Sequence, residues 1–196
     1  GYHIRLGVDT TYVQGDSEVG LVIMRYAEAL LSYAEAAEEL GKCDDAVLEK
    51  TLKPLRERAG VKYVKPVTVD PNFTDYGYAL TPVLQEIRRE RRVELALQGY
   101  RLDDLMRWGG AKVIVNKRGR GAYLGKDAVL YKSFTEEQQS KLTTILTDGS
   151  QWMDPLQELL PNGYQFVAGR DYLLPIPPSE LKLNRQMKQN PGWGEE

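Results

Sequence analysis

At 196 residues the chain can hold one domain with a sizeable core, or two small ones. Its 42% apolar content fits a globular fold, and no apolar run approaches the roughly 20 residues of a membrane-spanning helix. A net charge of −2, with acids and bases interspersed, argues against nucleic acid, whose binders carry a basic face, and against attraction to anionic lipid.

Residues 1–16 alternate mildly (Tyr2, Ile4, Leu6, Val8) and read as an extended lead-in. Asp16 and Ser17 then supply an N-cap, with Glu18 suited to a first turn, and the stretch to Leu40 is strongly helical. At 100° per residue Ile23, Tyr26, Ala27, Leu30, Tyr33, Ala34 and Ala37 share a core-facing stripe, which leaves Arg25, Glu28, Ser32, Glu35 and Glu39 for solvent. Gly41 stands where a helix-ending glycine belongs. A second helix starts at Asp44 or Asp45 and runs to about Ala59, with Gly60 ending it and Pro54 requiring a kink or restart. The short turn between them makes 17–60 a helical hairpin. Residues 61–80 are a loop carrying Phe73, Tyr76 and Tyr78. Thr81 caps and Pro82 opens a third helix to Gln98; Gly99 breaks it, and a fourth, shorter helix runs to Gly109, so that 81–109 is a second hairpin. The remainder, 110–196, is loop-rich, with a Thr135/Gln138 capping box, a proline-extended DYLLPIPP segment, and a tail turn carrying Trp193.

Taken in order, RYAEALLSYAEAAEELG, a helix ending RERAGV, IRRERRVELALQGYRLDDLMRWG, LLPIPPSELKLN and QNPGW form a specific series. The series resembles the C-terminal part of the SusD/RagB family of outer-membrane nutrient-binding lipoproteins and covers most of 18–60, 84–109 and 172–193. Gln98 and Trp193 stand where that family usually has Glu and Tyr. The resemblance implies an all-α, tetratricopeptide-like scaffold of stacked hairpins with long irregular loops. It also implies that residues 1–196 are one piece of a longer protein. The implied role is non-enzymatic capture of glycan nutrients at the extracellular face of the outer membrane and handover to a SusC-like TonB-dependent transporter. The lipid anchor would lie outside this chain, and no cofactor is implied.

Arg88–Trp108 is dense in arginine and carboxylate, and charges that face a core must be paired. Arg91, Glu94, Arg101, Asp104 and Arg107 are therefore expected to form a structural ion-pair network, because arginine pairs bidentately with carboxylates and holds register where helices meet. The catalytic alternative is a carbohydrate-active enzyme using Glu94 with Asp103 or Asp104. It is disfavoured because adjacent guanidiniums favour the ionised carboxylate over the acid. His3 is the sole histidine and Cys43 the sole cysteine, so no metal-ligand cluster and no internal disulfide are expected. The glycines at 119, 121 and 125 lack the GK[ST] of a phosphate loop. Glycan recognition would fall to aromatic rings, whose faces stack on sugar C–H groups. Tyr26, Tyr33 and Trp108 read as packing; the expected ligand platforms are Trp152, Tyr123 and Tyr76. A helical-repeat module that binds protein or peptide is the rival non-enzymatic reading.

Overall fold

A computed structural model describes residues 22–142 and 149–194; the Asp16/Ser17 cap and the extended lead-in lie outside them. The fold is all-α and tetratricopeptide-like: among the described residues the regular structure is helical, relieved only by two isolated β-bridges. Two compact units divide the chain at Val113/Ile114.

In the unit within Glu18–Val113, α1 (Tyr26–Glu39) packs against α2 (Asp45–Lys50), α3 (Leu52–Arg58) and α4 (Pro82–Glu94), with α5 (Tyr100–Arg107) following. The core is Ala27, Leu30, Leu31 and Ala34 of α1 against Leu48, Leu52, Leu55, Ile87 and Leu95. Each fully buried leucine there contributes about 1.5–3 kcal/mol.

The first helix departs from expectation twice. It begins at Tyr26, with Val22–Arg25 non-helical: Arg25 sits at the N-cap in extended conformation, its donor-only guanidinium cannot cap the first amides, and it reaches across to Glu94. The core stripe is also rotated. Tyr26 and Tyr33 are 78% and 54% exposed, Ile23 is exposed, and Glu35 is buried at 3%. Positions 27, 30, 31, 34, 35 and 37 make the buried face, so small alanines meet the neighbouring helices and the two tyrosine rings fall off its edge.

Pro54 acts one turn upstream. It cannot donate to the Lys50 carbonyl, and the helix divides at Thr51 into α2 and α3. Asp44 caps α2 by accepting from the Val47 amide at 2.9 Å. Gly41 and Gly60 adopt left-handed φ of 66° and 72°. That conformation lets the Lys42 amide reach back to the Ala37 carbonyl at 2.7 Å and the Val61 amide to that of Arg56 at 2.8 Å. Thr81 caps α4 with Pro82 inside its first turn, as its sequence demands. The helix ends at Glu94, four residues short of Gln98, because Leu97 and Gly99 turn left-handed to redirect the chain into α5.

A single turn, α6 (Ala111–Ile114), ends the first unit; in the unit within Ile114–Glu196, short helices α7 (Val129–Lys132), α8 (Glu136–Leu142) and α9 (Pro178–Leu183) are set among loops. The Thr135/Gln138 box forms in both directions, at 2.9 and 3.3 Å. The loops are tied by Arg118, which donates to the buried Asp154 carboxylate at 2.6–3.1 Å and to the Leu160 and Pro161 carbonyls. The tail holds the extended proline segment by side-chain mimicry. The Gln189 amide accepts from the Ile176 N–H at 2.7 Å and donates to the Ile176 carbonyl at 2.9 Å, and the Trp193 indole N–H donates to Leu173.

Candidate functional site

The charged segment resolves into a lattice that joins α1 and its N-cap Arg25 to α3, α4 and α5. Arg91 Nε donates to both Asp104 oxygens at 2.8 Å, and Arg91 Nη1 reaches Ser32 Oγ at 3.3 Å. Arg107 donates to Asp104 from Nε and Nη2, and grips Glu35 bidentately at 2.8 and 2.6 Å. Glu35 also accepts from the Trp108 indole N–H. Glu94 takes Arg25 on one oxygen and Arg58 on the other. Arg91 and Asp104 are both buried, so an unpaired member of this set would cost several kcal/mol.

Arg101 stands outside the lattice. Its Nη1 approaches Tyr76 Oη at 3.4 Å, its guanidinium lies 5.9 Å from the Trp108 ring centre, and among the described residues no carboxylate pairs with it. The Asp104 carboxylate is shared by Arg91 and Arg107, and Arg101 turns to the Tyr76 and Trp108 rings.

Glu35 and Arg88 were invisible to sequence reasoning as interior groups. Glu35 could have been found, since it lies four residues beyond Leu31 on the true stripe. Arg88, 4% exposed, has no such signal. Its guanidinium sits 4.5 Å from the Trp108 ring centre, 5.2 Å from Tyr76 and 5.6 Å from Tyr78, a cation held by ring quadrupoles. It donates to Tyr78 Oη at 2.7 Å, while its Nε is buried with no acceptor.

The three aromatic candidates separate. Tyr76 is 3% exposed, edge-on to Trp108 at 5.8 Å, and is committed to that box; a sugar has no access to its ring. Tyr123 and Trp152 come together in the loop unit, joined by an antiparallel bridge with ring centres 5.3 Å apart. Trp152 is 39% exposed. Backbone bonds brace the pair on both sides, from the Leu124 amide to the Gln151 carbonyl and from the Met153 amide to that of Ala122, each 2.8–3.0 Å. Gly121 lies so close to Met153 that a Cβ would stand 2.9 Å from the methionine's own. Tyr123 Oη donates to Asp127 at 2.9 Å, and that bond holds the phenol above its ordinary pKa, keeping it a neutral donor. The result is a two-ring ledge with a carboxylate at its rim, next in sequence to the buried Asp154 that Arg118 holds. Such a surface can stack a sugar face and bond its hydroxyls.

Among the described residues no group of three His, Cys, Asp or Glu is placed to hold a metal, and no helix is long and apolar enough to cross a membrane.

A family model described as the SusD family matches residues 1–193. Among solved structures, a SusD homolog from Bacteroides thetaiotaomicron VPI-5482 is 24% identical over 87% of this chain, with a TM-score of 0.49. This chain spans 26% of that protein's length. No curated protein matches.

Proposed function

The chain belongs to the SusD family, and from that premise we propose that it is the C-terminal part, residues 1–196, of a protein that captures glycan nutrients without chemistry. The observation that carries this is the Tyr123–Trp152 ledge, a braced pair of rings with Tyr123 half-buried and Trp152 39% exposed. The non-catalytic reading is supported by the lattice: Glu94 and Asp104 each accept from two guanidiniums, so their oxygens are committed to the helix contacts and not turned to a sugar cleft. Family membership supports an outer-membrane location through a lipid anchor elsewhere in the protein, and handover of the glycan to a SusC-like TonB-dependent transporter.

Isothermal titration of the chain with a neutral polysaccharide panel tests the binding. At least one glycan is expected to bind, and Trp152→Ala to weaken it about tenfold, the loss of one stacked ring. Unchanged affinity in that variant would remove the ledge as the site. Release of reducing sugar by the pure protein would overturn the non-catalytic reading.

A further inference from the structure

At the corner where α4 gives way to α5, a cavity of about 300 Å³ is lined by Arg92, Leu95, Leu97, Tyr100 and Arg101 together with the Arg91–Asp104 pair. Its charge is unbalanced. Three guanidiniums meet one carboxylate, and that carboxylate is already shared by Arg91 and Arg107. Arg92 hydrogen-bonds only Thr74 Oγ1 and Arg101 only Tyr76 Oη, each at 3.4 Å, the outer limit of a hydrogen bond. Every other arginine on these helices except Arg88, which is caged by rings, is bound to a carboxylate: Arg56, Arg58, Arg89, Arg91 and Arg107. A neighbouring groove of about 670 Å³ along α3 and α4 makes the contrast, since its Arg56, Glu86, Glu90 and Arg89 neutralise one another. Arg92 and Arg101 thus present guanidinium forks to the corner cavity that no carboxylate among the described residues holds. Its other wall is apolar, and Leu97 is kept there 69% exposed at φ 64°, a left-handed conformation that a leucine adopts only under constraint.

We propose that this cavity binds the carboxylate of a small acidic sugar of the hexuronate class. Guanidinium forks match a carboxylate bidentately, and the leucine ledge with Tyr100 accepts the ring's C–H face. The cavity shares no residue with the Tyr123–Trp152 ledge, so this site stands or falls independently of that one.

The test is isothermal titration of the whole chain with galacturonate, galactose and acetate. Galacturonate is expected to bind about tenfold or more tightly than either control, and to weaken as salt rises from about 50 to about 500 mM. Arg92→Met with Arg101→Met should lower its affinity about tenfold or more with the circular dichroism spectrum retained, while Trp152→Ala leaves it unchanged. Arg92 is exposed, so the single variant Arg92→Met keeps the test available if the double variant does not fold, with a several-fold loss expected. No saturable galacturonate binding, galactose binding equally well, acetate binding equally well (a bare oxyanion site), or indifference to Arg92→Met would each overturn the proposal.

Discussion

Asp104→Asn probes the lattice at its centre. The wild-type carboxylate is 4% exposed and accepts from Arg91 at 2.8 Å and from Arg107 at 2.8 and 3.0 Å. The asparagine keeps the shape and one acceptor oxygen but removes the charge. Arg91, whose side chain is 7% exposed, then has no anion and only its edge on the corner cavity from which to be rehydrated; Arg107, at 43%, can rehydrate freely and keeps Glu35. Breaking a buried pair costs about 3–5 kcal/mol, and the retained acceptor with the open Arg107 places this case near the lower end, about 3 kcal/mol. For a chain of this size that lowers Tm by roughly 6–12 °C in a thermal melt followed by circular dichroism. Replacing both partners with apolar groups, Arg91→Met with Asp104→Leu, is expected to recover most of the loss, because no charge is then stranded. A Tm within about 2 °C of wild type for Asp104→Asn would refute the claim that a buried arginine depends on this carboxylate.

Burial, with Glu38 and Asp44 adding to it, pushes the Cys43 thiol up to about 11, so iodoacetamide should modify it about a hundredfold more slowly in the native chain at pH 8 than in urea; equal rates would contradict that environment. Gly163→Ala should destabilise the loop unit by about 1–2 kcal/mol or more, read as a shifted urea midpoint, because φ is +69° and the new Cβ would stand 2.5 Å from the Asn116 carbonyl carbon; an unshifted midpoint would be evidence against that close approach. Asp70 is held below the usual carboxylate range by the Arg89 guanidinium, helped by the Asn72 amide, so its contribution is present above its unfolded pKa and is lost as the pH falls through the depressed folded value. The stability gap between wild type and Arg89→Met should therefore narrow below about pH 4 in urea titrations, and a gap that widened there would have the wrong sign.

Local rules carried the helices and failed where tertiary demands intervened. Thr81-Pro82, Asp44 and Gly41 are readable because a cap or a left-handed turn is a property of a few adjacent residues. The stripe of α1 was misread because two tyrosines weighed as apolar, whereas the close neighbours of α1 admit alanine and leave the larger rings outside. Glu35 and Arg25 acquire their partners from residues about 70 positions away, which no periodicity encodes. Tyr76 and Tyr123 look alike in sequence, two loop tyrosines beside glycine-rich turns. One lies in an aromatic box around Arg88, the other on an open ledge, and only the packing of Trp108 and Trp152 tells them apart.

The grip of Arg107 on Glu35 spans 72 residues of chain. As the polypeptide emerges from the ribosome, α1 is complete some seventy residues before its counter-ion exists, and a carboxylate without one is not desolvated. Leu31 and Ala34 can meet α2 and α3 as soon as those helices are made, but the Glu35 end of the same face reaches its desolvated state only with Arg107 and Trp108 in place, so that end of α1 is finished last.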